Sequence, residues 1–176
     1  ILVVLNGSPY EIEKNNSRLS HAIARVSETK KPLIYINQIG GQDELVFDGG
    51  SFVLNADRGL VVQASWWKEV LTYTNWAKSS NGWFCKTSSL SKDLLKLENI
   101  YNAMVLGLKD YVSKNRFPGV VIGLSGGIDS ALTAAVAVDA LGSENVLCVM
   151  MPSPYTSNES IEDAILLAKN FNIRIE

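Results

Sequence analysis

One stretch constrains the fold more than any other. Residues 119–130, "GVVIGLSGGIDS", run from an apolar strand pattern through two adjacent glycines straight into the small-residue helix pattern "ALTAAVAVDAL". A second apolar run, "NVLCVMM", follows with almost no polar residue, as in a strand of a parallel sheet covered on both faces. Gly142 between them suits the end of the helix. "PSPYTSNES" then reads as a loop. "IEDAILLAKNF" reads as a last helix with Ile161, Ala164, Ile165, Ala168 and Phe171 on one side. Strand, helix, strand, helix in this order predicts the first βαβα units of a doubly wound parallel sheet.

The rest of the chain predicts a second α/β layer unit. "ILVVL" reads as a buried strand and "NGSPYE" as the loop leaving it. In "NNSRLSHAIARVSETKK", Leu19, Ala22, Ile23 and Val26 fall at i, i+3, i+4 and i+7, an amphipathic helix with Asn16 or Ser17 as its cap. His21 lies off that stripe and reads as a surface residue. "PLIYINQIG" is a strand, "GGQDE" turns the chain, and "LVFDGGSFVLN" and "GLVVQAS" supply more strands. Asp43 and Glu44 of that turn have no catalytic partner in view and read as structural. From Trp66 to about Leu90 the periodicity fails, and all four tryptophans fall here among Ser, Asn, Lys and Gly. So many aromatics suit a connection lying against other surfaces, or a partner interface, better than an open linker. A helix is expected from Asp93 to Lys114, with Leu97, Ile100, Met104, Leu108 and Tyr111 as its core stripe.

Composition narrows the function classes. The chain is 176 residues long, 47% hydrophobic and 19% charged, enough to bury a core in one domain or two small ones. A net charge of -2 and the lack of any basic block argue against broad electrostatic binding to nucleic acid or an anionic membrane. Two cysteines are too few for a disulfide scaffold: Cys148 reads as a buried thiol, and Cys85, in irregular sequence, as unreactive even if exposed. With no leader pattern and no long apolar span, a cytoplasmic location is expected. Both ends cut through strand patterns, which reads as a piece of a longer protein.

The glycine loop carries the chemistry. It sits where a parallel strand hands over to a helix, the usual ligand crevice of such sheets. Unpaired N–H groups and partial positive charge at the helix start favour an anion. Gly126 and Gly127 let the backbone approach a phosphate and adopt positive φ, and Ser125 and Ser130 add hydroxyls. Asp129 would repel phosphates unless a cation intervened, and so points to Mg²⁺. No lysine follows the glycines, and the spacing is not G-x-G-x-x-G, which removes the two commonest phosphate loops. A plain strand-to-helix turn with a capping side chain is the competing reading.

"SGGIDS" resembles the pyrophosphate loop of the ATP pyrophosphatase superfamily, whose members cleave ATP between its α and β phosphates. "MPSPYTSNESIEDA" is similar to the segment after the second strand in NAD synthetases. "NGSPYE" and "YINQIGGQDELVFDGGSFVLN" look like the later part of a nitrilase-type amidase domain. The two parts in this order resemble glutamine-dependent NAD synthetases. The resemblance implies the end of a nitrilase-type α-β-β-α glutaminase domain over residues 1–66, a connection over 67–92, and the start of an adenine nucleotide alpha hydrolase-like synthetase domain over 93–176. It implies ATP held by Gly123, Leu124, Ser125, Gly126, Gly127, Ile128, Asp129 and Ser130, Mg²⁺ on Asp129, and glutamine bound by Ser8 and Lys14. A hydroxyl and an ammonium suit the α-carboxylate of an amino acid; a loop serine and a solvated lysine are the bland alternative. The implied reaction activates the carboxylate of deamido-NAD on the ATP α-phosphate, releases pyrophosphate, and displaces AMP with ammonia from glutamine. The implied state is a homo-oligomer. The family's Cys-Glu-Lys glutaminase triad matches no positions here, so the segment alone is expected to be inactive. Rival readings are another amide-forming or thiolating ATP pyrophosphatase, a binding module on the same fold, and a plain amidase with an accessory domain.

Overall fold

The computed structural model describes residues 1–176, which divide into two compact units, Ile1–Ala103 and Met104–Glu176. In the first, strand β1 (Leu2–Asn6) leads to helix α1 (Lys14–Thr29) and strand β2 (Leu33–Asn37). There follow β3 (Ile39–Gln42), β4 (Leu45–Asp48), β5 (Phe52–Leu54) and β6 (Leu60–Gln63). β7 (Trp76–Ser79), β8 (Gly82–Cys85) and β9 (Ser89–Leu90) complete its strands. Five strands form a mixed sheet in the order β1-β2-β5-β6-β9, with β1 and β2 parallel, while β3-β4 and β7-β8 are antiparallel hairpins.

α1 lies on this sheet as its pattern predicts. Ala22 and Val26 are buried and join Leu33, Phe52 and Leu54, with Leu19 and Ile23 packed against that cluster. Tyr35 and Phe52 stack across paired strands, ring centroids 4.7 Å apart. Three expectations are corrected. The helix begins three to four residues early, after Glu13 at φ 67°, with no side-chain cap. "ILVVL" is buried on one face only: Val3 is 59% and Leu5 76% exposed, because β1 is the sheet edge and no helix in this unit covers its second face. "PLIYINQIG" is two strands, broken at Gln38 as the chain leaves the main sheet for the β3-β4 hairpin. Asp43 and Glu44 form that hairpin's exposed turn, Asp43 at φ 50°.

Residues 67–92, expected as an inter-domain connection, lie within the first compact unit. β9 extends its main sheet, and Cys85 is buried with Val53 and Val62, anchored by reciprocal hydrogen bonds with Asn55: Cys85 N donates to Asn55 Oδ1, and Asn55 Nδ2 donates to the Cys85 carbonyl. Cys85 is thus buried, although the irregular sequence around it left exposure open.

Helix α2 (Lys96–Lys114) runs into the second unit. There β10 (Val120–Gly123), α3 (Ile128–Leu141), β11 (Val146–Val149), α4 (Asn158–Asn170) and β12 (Arg174–Ile175) follow, the three strands parallel in the order β10-β11-β12. The core is built from small residues: Ala134 and Ala137 of α3 and Ala164 and Ala168 of α4 close on Val146 and Cys148. Cys148 is completely buried, and that burial pushes its thiol pKa up.

Two helix stripes differ from expectation. On α2, Leu97 is 79%, Met104 40% and Tyr111 50% exposed, while Val112 is buried. Periodicity identified an apolar face, but nothing in the chain covers most of it. On α4, Ile165 is half exposed and Leu167 takes its place against the core, because the two buried alanines set which side faces the sheet. Gly142 ends α3 with φ 84°, its N–H bonded to the Val138 carbonyl, as the glycine signal predicts.

Candidate functional site

The glycine loop of the second unit is tied together before any ligand arrives. Ser125 N donates to Ser130 Oγ at 3.2 Å, and the two serine hydroxyls lie 3.1 Å apart. Ser130 Oγ also donates to the Gly127 carbonyl at 2.9 Å, and Gly127 N donates to Ser125 Oγ at 3.3 Å. The hydroxyls expected as phosphate donors are thus engaged within the loop and must rotate to serve a ligand. What the loop leaves open is backbone. The N–H groups of Gly126, Ile128, Asp129 and Ser130 have no acceptor in the chain, the first intrahelical bond being Ala131 N to the Gly127 carbonyl. Four unsatisfied donors at the positive end of a helix form a concentrated anion-favouring surface.

The two glycines do different work. Gly126 sits at φ 79°, and a Cβ there would lie 2.1 Å from the Ser160 carbonyl oxygen. Its bareness lets the first turn of α4 press on the loop, a reason the sequence alone did not reveal. Gly127 has φ -85° and only Ser125 Oγ at 3.4 Å from a hypothetical Cβ. It therefore needs neither positive φ nor close backbone packing.

α4 is capped by Ser157, whose Oγ accepts from Ser160 N at 3.2 Å. The loop before it is held by Ser153 N donating to Thr156 Oγ1 at 2.9 Å. With the approach of Gly126 to Ser160, the stretches "GLSGGIDS" and "MPSPYTSNES" lie side by side. A cleft of about 210 Å³ opens between them, lined by Gly123, Ser125, Met150, Met151, Pro152 and Ile161 among others. Asp129 lies in the first turn of α3 with its side chain exposed and without an ion pair.

In the first unit Ser8 and Lys14 line one cleft of about 390 Å³, together with Asn6, Ser17, Arg18 and His21. Lys14 is ion-paired with Glu11. Ser8 rests on a buried network that sequence reading missed. Arg18, 6% exposed, grips both oxygens of Asp48, 4% exposed, through Nη1 at 2.8 Å. Its Nη2 donates to the carbonyls of Ser8 at 2.8 Å and Pro9 at 2.9 Å, and its Nε to Ser8 Oγ at 3.0 Å. Asn37 completes the frame, accepting from Ser8 N at 2.9 Å and donating to the Ser8 carbonyl at 3.1 Å and to Asp48 at 3.2 Å. Beside it Tyr10 meets Trp67 edge-on at 5.0 Å, and burial, with the nearby Asp48 charge, raises the Tyr10 pKa.

Residues 100–176 match the family model described as NAD synthase. Over its whole length the chain is 46% identical to a glutamine-dependent NAD(+) synthetase of Rhodobacter capsulatus, and it spans 32% of that protein. With the enzyme of the same name from Synechocystis sp., identity is 42% over all of this chain and 31% of the relative. The solved glutamine-dependent NAD+ synthetase of Acinetobacter baumannii, a complex with ADP, superposes with a TM-score of 0.89 at 41% identity, over 99% of this chain and 33% of that one. The whole chain is similar to glutamine-dependent NAD synthetases. It spans about a third of the length of the curated relatives it matches. A synthetase of the same name from Cytophaga hutchinsonii, 18% identical with a TM-score of 0.77 over 99% of this chain, shares the mixed α/β fold. No helix of the chain is long and apolar enough to cross a membrane.

Proposed function

We propose that this chain is the part of a glutamine-dependent NAD synthetase in which a nitrilase-type glutaminase half runs into an ATP-using half. Residues 1–66 belong to the first half, 67–92 lead from it to the second while folding within the first compact unit, and 93–176 begin a doubly wound synthetase domain. The full protein amidates deamido-NAD to NAD+ in two stages. ATP first adenylates the deamido-NAD carboxylate and releases pyrophosphate; ammonia from glutamine then displaces AMP. The observation that carries this reading is the set of four unsatisfied N–H donors at Gly126, Ile128, Asp129 and Ser130, held open by the serine-tied loop. A structural relative solved in complex with ADP supports a nucleotide as a ligand.

In this reading those N–H groups donate to phosphate oxygens, and Ser125 and Ser130 rotate out of their mutual contact to add two more donors. Residues Gly123 to Ser130 form the cradle, and the cleft beside Met150, Met151 and Ile161 offers an apolar wall to a base. Aligned donors placed where charge builds on the transferring phosphate are the protein's main catalytic lever. No group of three His, Cys, Asp or Glu side chains in the chain could cage a metal ion. A lone exposed carboxylate still fits Mg²⁺, which commonly binds through one or two carboxylates plus substrate phosphates and retained waters. Asp129 would hold that ion, which when bound neutralises phosphate charge. Ser8 and Lys14 bind glutamine. Lacking the Cys-Glu-Lys triad, the segment does not hydrolyse glutamine by itself.

The test uses the full-length protein that carries this segment. It should form NAD+ from deamido-NAD, ATP and glutamine, and be inactive with XMP or aspartate as acceptor. Asp129→Ala should lower pyrophosphate release by about a hundredfold or more, the scale of losing one group that stabilises transition-state charge. Turnover of XMP or aspartate would overturn the choice of enzyme. Undiminished pyrophosphate release in the variant would overturn the metal assignment.

A further inference from the structure

The hydrogen-bonding role of Ser8 is fixed from behind. A guanidinium can only donate, so in the 3.0 Å contact between Arg18 Nε and Ser8 Oγ the hydroxyl oxygen is the acceptor. Ser8 Oγ has no other partner in the chain, which leaves its own proton uncommitted. Arg18 cannot turn away. Its remaining nitrogens are bound to both Asp48 oxygens and to the carbonyls of Ser8 and Pro9, and the ion pair is buried. The backbone of Ser8 is clamped from the other side by Asn37. An ordinary serine can offer a proton or a lone pair, whichever a ligand prefers. Here Arg18 takes one of the two lone pairs and the proton is left for the cleft, beside the Lys14 ammonium, itself a donor without acceptor capacity.

We infer that Arg18, held by Asp48, is a positioning residue that occupies one lone pair of Ser8 Oγ and holds the hydroxyl so that its proton is donated to a carboxylate oxygen of the ligand. The inference rests on the reading that Ser8 and Lys14 bind glutamine by its α-carboxylate, and adds the residue that orients Ser8 for it. Glu11, now paired with Lys14, must yield its partner to the incoming carboxylate.

The experiment compares glutamine with 4-aminobutanamide, which keeps the ammonium and the side-chain amide but lacks the α-carboxylate. Both are used as nitrogen donors by the full-length protein, with ammonia-driven synthesis as the reference. Arg18→Lys keeps the charge but loses the planar fork. It should raise the glutamine KM about tenfold or more, the scale of one charge-assisted hydrogen bond, with kcat little moved. The preference for glutamine over 4-aminobutanamide should fall by a similar factor, as should the ratio of glutamine-driven to ammonia-driven synthesis. Ser8→Ala should reproduce these shifts. Should Arg18→Lys not fold, Asp48→Asn, of the same shape, should move the same ratios in the same direction. Shifts in Ser8→Ala without any in the Arg18 or Asp48 variant would overturn the inference and leave the glutamine-binding reading standing. No shift in Ser8→Ala would overturn both. An equal loss of glutamine-driven and ammonia-driven synthesis in Arg18→Lys would mark a merely structural role and also overturn it.

Discussion

The Ser8 network and the glycine loop solve opposite problems, each around serine hydroxyls and backbone groups. Around Ser8 nearly every polar group is matched internally, and a buried Arg18–Asp48 pair sets the direction of a single free proton. Around Gly126 the side chains are matched to each other, and four backbone donors are left facing outward. One arrangement suits a small, singly charged ligand group that must be read in a defined orientation. The other suits a polyanion that can take many donors at once. Full internal satisfaction gives selectivity, and deliberate incompleteness gives capacity.

The comparison can be broken first by removing charge. Asp48→Ala leaves Arg18 buried without its partner and should destabilise the first unit by about 3–5 kcal/mol, read as a lowered denaturant midpoint. Asp129→Ala removes an exposed acid from the first turn of α3 and should cost no more than about 1 kcal/mol. Equal costs would mean that the first network is not the rigid one. The next effect concerns the two glycines. Gly126→Ala meets both a positive φ and the Ser160 carbonyl, and should cost about 1–3 kcal/mol; Gly127→Ala, with open space and ordinary φ, should stay within about 1 kcal/mol. Paired thermal melts would distinguish them. The smallest effect is set by pH. The folded Tyr10 pKa lies above its ordinary 10.0, so the unfolded chain loses that proton first. The stability linked to it is complete below about pH 10 and is lost as pH rises through the folded pKa. Tyr10→Phe should flatten this alkaline decline in an unfolding series taken from pH 8 to 11.

Much of this was legible in the chain itself. The strand-glycine-helix transition announces its own location, because glycines and small residues act locally on the backbone. The α1 stripe was equally plain. Arg18 was not, since an arginine on the first turns of an amphipathic helix reads as a solvated residue, and its partner lies 30 positions away on β4. The purpose of Gly126 was hidden for the same reason: its neighbour, Ser160, comes from another helix. On α2 the apolar periodicity was visible, yet Leu97 and Tyr111 remain open to solvent. Periodicity reports which face wants cover, and only packing partners decide whether it receives any.

The outermost strand has a practical consequence. In the isolated segment β1 offers solvent a row of unbonded amide and carbonyl groups along one side, flanked by Val3 and Leu5. Such a margin invites another chain to zip on. Preparations of the isolated segment should therefore cluster as concentration rises, and a lysine in place of Leu5 is the simplest way to keep them dispersed.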